Sequence, residues 1–148
     1  MYLLCLIAQI LFSIVFTTEH PIFEFKNTRY WSQLAGSTFI LVYGVEFFVL
    51  NHEHFGSLQI PVLIYCIAIT FMGIAAVLRN LKSGSRSYFL ILAGAILFIA
   101  SDSLLASEKF IYPDMNLGIP VLVSYYAAII LISLGLVKAE VSGSTENN

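Results

Sequence analysis

Five apolar runs, each close to 20 residues long and separated by short polar breaks, constrain this chain more than any other feature. A bilayer core about 30 Å thick needs roughly 20 apolar residues per crossing helix, so runs of this length read as membrane spans. The expected spans are Met1–Thr17, Trp31–Leu50, Ser57–Leu78, Ser87–Ala106 and Gly118–Val137. The breaks have local causes. Glu19, His20 and Pro21 end the first run, Asn51 to Gly56 form a short polar turn, and Lys82-Ser-Gly-Ser-Arg86 forms a basic hairpin loop. With 59% hydrophobic and 11% charged residues, the chain cannot clothe the surface of a soluble domain, where about 25% is charged. The fold class expected is all-α: a polytopic integral membrane helical bundle of five transmembrane helices over residues 1–137. Residues 138–148 are polar and expected to be a disordered cytoplasmic tail.

Charge sets the orientation. Lys26, Arg29, Arg79, Lys82, Arg86 and Lys138 fall on one side of these spans, and only Lys109 falls on the other. Cytoplasmic loops carry the excess of Lys and Arg, which places the C-terminus in the cytoplasm and Met1 on the opposite face. The first run has no basic segment before it and no small-residue cleavage site, so it reads as a span and not as a signal peptide. An odd number of spans opening directly inside an apolar run leads to the expectation that a further segment precedes Met1. A net charge of −2 with seven basic residues leaves no stripe that could follow a phosphate backbone, which excludes nucleic acid as a partner. Cys5 and Cys66 both lie in apolar runs and read as small buried hydrophobes.

An ionisable group near the bilayer centre costs roughly 2.5 to 3.5 kcal/mol on insertion scales, so those retained inside spans are functional candidates. Glu46 and Asp102 are the two acids well inside. Each precedes the expected end of its span by four residues, about 6 Å at 1.5 Å per residue. Gln9, Tyr65 and Tyr125 lie roughly 10 to 12 Å below the same face by the same arithmetic, and Ser101, Ser124 and Tyr126 join them. Such a layer is what a cavity opening to the non-cytoplasmic side would produce. Taken singly, Gln9, Ser124 and Tyr126 read first as interhelical hydrogen-bond or interfacial residues. Asp102 stands apart, because its short side chain cannot snorkel far. Helical spacing puts Gly94, Ala95, Phe98 and Leu105 on its face, which small residues turn toward another helix.

No metal and no cofactor are expected. His20, His52 and His54 all lie in breaks, and no span contains a histidine to join an intramembrane zinc set. No Ser-His-Asp or Cys-His set can be assembled inside the spans either.

The stretch Gly94 to Phe110, GAILFIASDSLLASEKF, closely resembles the YhhN-like family of membrane proteins, which includes the transmembrane lysoplasmalogenases. Ser124-Tyr-Tyr-Ala127 with Gly135 is similar to that family's last span, and Val62-Leu-Ile-Tyr65 through Phe71-Met-Gly73 to its sixth. The resemblance implies an eight-span hydrolase, of which these would be the last five. It implies a site that pairs Asp102, in the Ser-Asp motif, with a second Asp in an upstream Gly-Asp motif. This chain contains no Gly-Asp pair, and it carries Gln9 where many relatives have a histidine.

The implied substrate is a lysoplasmalogen, a single-chain ether phospholipid of the membrane, whose vinyl ether bond is cleaved to a fatty aldehyde and a glycerophospho-headgroup. That chemistry begins with a proton delivered to the β-carbon, passes through an oxocarbenium-like cation, and ends with attack by water. One carboxyl must hold a proton near neutral pH while a neighbouring carboxylate stabilises the cation or activates water, and a desolvated carboxyl dyad suits both tasks. Asp102 is the expected catalytic acid, with Tyr65, Tyr125, Ser101, Glu46 and Gln9 orienting substrate or water. The alternative is a non-enzymatic five-span lipid-binding or transporter-like protein in which the same groups form a packing network.

Overall fold

A computed structural model describes residues 2–18, 29–79 and 85–146. Among these every regular element is helical: α1 Tyr2–Thr18, α2 Arg29–Asn51, a 3-10 stretch His52–Leu58, α3 Gln59–Leu78, α4 Ser85–Ala106, a π turn Ser107–Ile111, and α5 Gly118–Glu146. In hydrocarbon every backbone polar group must be satisfied within its own segment, which is why apolar runs of this length become helices. Pro61 and Pro120 each occupy the third position of their helix, where a missing N–H costs nothing. Among the described residues, three stretches are long and apolar enough to cross a membrane: Trp31–Leu78, Arg86–Ile111 and Gly118–Val141. The first holds both α2 and α3, and Ile7–Thr17 of α1 is a shorter apolar helix. The Glu19–Pro21 break, Lys26 and most of the basic loop around Lys82 lie outside the described residues.

Contacts divide the chain into two compact units, Met1–Arg79 and Asn80–Asn148. In the first, α3 packs against both α1 and α2. α2 and α3 run antiparallel, since a Cβ on Gly36 would meet Val77 and one on Gly44 would meet Thr70. The α1–α3 pair runs parallel: the Arg79 guanidinium, just past the end of α3, lies 5.9 Å over the Phe16 ring near the end of α1. Gln33 closes the same end, its Nε2 donating to the carbonyls of Val77 and Leu78 at 3.4 Å. In the second unit α4 and α5 form an antiparallel hairpin. Ser87 Oγ donates to the Gly135 carbonyl at 2.7 Å near one end, and Ser101 Oγ donates to the Val121 carbonyl at 3.0 Å near the other.

Three expectations change. The Asn51–Gly56 turn is not simply polar: it folds into the 3-10 stretch, Gly56 takes a positive φ of 50°, and Phe55 is buried against Phe48 with ring centroids 5.8 Å apart. Only glycine adopts that backbone region without strain, so the turn depends on it. The α4 helix does not stop at Ala106 but continues through the π turn to Ile111. Finally, α5 runs on to Glu146, so Lys138–Glu146 is helical and not the disordered tail its polarity suggests. Lys138, Ala139 and Glu140 propagate the helix well, and the weaker formers at 141–145 extend a helix already nucleated; polarity argues against hydrocarbon and not against helix.

Candidate functional site

Asp102 sits on α4 with 4% of its surface exposed, and Ser101 beside it with 1%. An acid is seldom so enclosed without a reason. The α4 backbone brings Phe98, fully buried, onto the same face one turn before it. Across the hairpin, the Tyr125 ring packs on Phe98 at 5.5 Å between centroids, and Tyr126 meets Tyr125 edge-on at 5.8 Å. Helical side chains lean toward the N-terminus of their own helix. On α5 that direction leads from Tyr125 toward Val121, whose carbonyl Ser101 holds. Asp102, Ser101 and Tyr125 are therefore gathered at one level of the α4–α5 hairpin. The hydroxyl proton of Ser101 is committed to Val121, which makes this serine a clamp between the helices. Ser124 bonds back to Pro120 and Val121 within its own helix, and Tyr126 is 59% exposed.

Close approach of the two helices rests on residues without bulk. A Cβ on Gly94 would lie 2.9 Å from the Ala128 carbonyl oxygen, and one on Gly135 would lie 3.1 Å from that of Ser87. Ala95 and Ala128 are buried in the same contact. Beyond Asp102, Glu108 in the π turn reaches forward to accept the Leu117 N–H at 3.2 Å, just ahead of the first residue of α5. That bond satisfies an amide at a helix start and closes the loop, a role that a lone Glu in a break does not announce.

The π turn also alters the depth of the aspartate. Nine residues separate Asp102 from Ile111, about 13 Å at helical rise, instead of the four that end at Ala106. Glu46 is five residues from the end of α2, about 7 Å. The two acids are therefore not at matching distances from their helix ends.

In the first unit, Gln9 is fully buried on α1 in a stripe with Ser13 and Phe16, and Ser13 Oγ donates to the Gln9 carbonyl at 2.8 Å. Tyr65 is half-buried and shares a helical face with Ile69, Met72 and Ala76, which are among the most buried residues of α3. Glu46 is exposed, and helical spacing sets it on the side of α2 away from Gly44 and α3. Arg79, counted in the sequence as a loop cation, is 3% exposed. Among the described residues no group of three or more His, Cys, Asp or Glu is placed to hold a metal ion. His52 and His54 are exposed in the 3-10 stretch, and Cys66 is a buried free thiol.

No solved structure matches the chain. Two curated proteins named lysoplasmalogenase, from Mycobacterium bovis and Mycobacterium tuberculosis, are each 37% identical to it over 79 residues. The aligned stretch is 53% of this chain and 28% of each relative, so the likeness reaches just over a quarter of their length. The model of the YhhN family matches residues 3–136, nearly the whole length of the five helices. With that match added to the apolar helices, the chain belongs to the YhhN family.

Proposed function

We infer that the chain carries part or all of a membrane-embedded hydrolase that cleaves the vinyl ether bond of lysoplasmalogens. The observation that carries this reading is Asp102: an acid 4% exposed in a stretch apolar enough to cross a membrane, beside Ser101, at the level where Tyr125 packs on Phe98. Family membership and the two lysoplasmalogenases that share sequence with the chain support it. In the proposed reaction the Asp102 carboxyl gives its proton to the β-carbon of the alkenyl chain. The electron pair of the C=C bond forms the new C–H bond, and the adjacent carbon becomes an oxocarbenium ion. Water adds to that carbon and returns a proton to the carboxylate, and the resulting hemiacetal collapses to aldehyde and the glycerophospho-alcohol. Tyr125 orients the water or the ether oxygen, and Ser101 holds the helix that presents the acid. A second carboxylate would stabilise the cation.

The test is aldehyde release from an alkenyl lysophospholipid by protein carried in vesicles. The chain is assayed alone and joined to the N-terminal part of a curated lysoplasmalogenase that supplies a Gly-Asp pair. Release by the joined protein supports the reading, whereas silence from both preparations sinks it. Hydrolysis by the chain alone that disappears in Glu46→Gln would make Glu46 the second acid.

The proposal includes five crossings, with the C-terminus in the cytoplasm, resting on the six-to-one distribution of basic residues. A reporter fused after Asn148 is expected on the cytoplasmic side, and a tag inserted between Asn51 and Gly56 should be reachable from the opposite side. Protease protection in the reverse sense would refute the orientation.

A further inference from the structure

Between α2 and α3 lies an open groove of about 360 Å³, walled by Val45, Phe48 and Val49 on one side and Leu63, Ile67 and Phe71 on the other. Gly44 and Thr70 line it at the point where a Cβ on the glycine would collide with the threonine side chain. The groove exists because two small residues meet there while larger ones flank them. Its lining is almost wholly apolar, and all of it falls within Trp31–Leu78, apolar enough to cross a membrane.

The geometry points to a binding site for the single hydrocarbon chain of a lysophospholipid. The length of the groove fits such a chain. On α3 the lining runs from Leu63 to Ile74, eleven helical steps or roughly 16 Å. Twelve methylenes joined by bonds of about 1.5 Å at tetrahedral angles extend roughly 15 Å. The groove is as long as one such chain in extended form.

The two ends of the groove differ. One closes where Gly36 comes against Val77, with Gln33 bonded to the last carbonyls of α3. The other opens at Val49 and Leu63 toward the 3-10 stretch, where His52, Glu53, His54 and Gln59 are all exposed. A blind apolar slot with polar groups at its mouth suits a lipid with one tail and a polar head. The choice of a lysophospholipid over other single-chain lipids rests on the substrate class proposed above; the slot itself does not.

The experiment uses the full chain in phosphatidylcholine vesicles containing a trace of lysophosphatidylcholine whose chain carries a photoreactive diazirine. Cross-links are expected to concentrate on Cys66, Ile67, Thr70 and Phe71, and excess unlabelled lysophosphatidylcholine should remove them while oleic acid does not. Ile67→Trp fills the slot from its exposed rim and should weaken labelling by about tenfold, one decade of affinity. Ile60→Trp, an exposed α3 position outside the lining, should leave it unchanged. Asp102→Asn should label as the parent does, so a failed slot and a failed hydrolase give separate results. Cross-links spread evenly over the exposed faces of α2 and α3 would mean annular lipid only and would overturn the proposal. So would equal competition by oleic acid, which denotes a fatty-acid site, or disulfide-linked dimers formed through Ile67→Cys, which place a second copy in the groove.

Discussion

Asp102→Asn should lower vinyl ether hydrolysis by at least about 100-fold in a protein that is active with the aspartate in place. Proton delivery by a positioned acid contributes factors of about 10² to 10⁴, and asparagine retains the size and hydrogen-bonding capacity of the side chain while lacking a proton it can give up. The carboxyl site is 4% exposed, so an amide of the same shape fills it without opening a cavity. Expression and thermal stability in detergent should therefore stay close to those of the parent. The informative pairing is activity against stability. A loss of both would mark Asp102 as a packing residue, and near-normal turnover in the asparagine variant would remove it from the reaction. Asp102→Glu keeps the acid but moves it by one methylene, and should retain part of the activity that Asn loses, because proton delivery depends on position as well as on chemistry.

Much of the fold is readable in the residues, because lipid allows so few alternatives. Apolar run length gives the helices, and Pro61 and Pro120 mark where α3 and α5 begin. What run length does not encode is the behaviour of the ends. Hydropathy falls after Ala106, yet backbone hydrogen bonding carries the helix on as a π turn, and Glu108 then ties that turn to Leu117. Phe55 and Arg79 read as break residues but are buried, each by a ring partner that no local pattern identifies: Phe48 for the first, Phe16 for the second.

The candidate site divides in the same way. Asp102 is legible because a charge in a span is costly, and its inward direction follows from Gly94, Ala95 and Phe98 at helical spacing. Glu46 passes the same test of cost but stands on the opposite side of α2 from Gly44, because counting residues from a helix end gives a height and no azimuth. Ser101 is legible as polar but not as a clamp, since a serine hydroxyl in a span bonds equally well to its own helix, as Ser103 does to Ile99, or to a neighbour's.

Gly94→Leu should be the most disruptive single change in the α4–α5 unit. A Cβ at this position would lie 2.7 Å from Ile132 Cγ1, 2.9 Å from the Ala128 carbonyl oxygen and 3.0 Å from the Ile132 nitrogen. The first neighbour can rotate away, but the other two are backbone atoms of α5 and cannot yield unless the helices separate. Overpacking a tight core costs about 1 to 3 kcal/mol, and a clash with main chain belongs at the upper end of that range. Gly94→Ala should fall between Leu and the parent, because alanine gains up to about 1 kcal/mol in helix propensity against the same collision. Gly118→Ala is the matched control: its Cβ would meet only Asn116 Oδ1, at 3.7 Å. Thermal unfolding in detergent should rank the variants as Gly118→Ala equal to or above the parent, then Gly94→Ala, then Gly94→Leu. Separation of α4 from α5 would also lengthen the Ser101–Val121 bond and draw Tyr125 away from Phe98, so turnover should fall with stability in Gly94→Leu although Asp102 is untouched. A Gly94→Leu protein as stable as the parent would mean that α4 and α5 do not pack through these small residues, and the placement of Tyr125 at the level of Asp102 would fall with that contact.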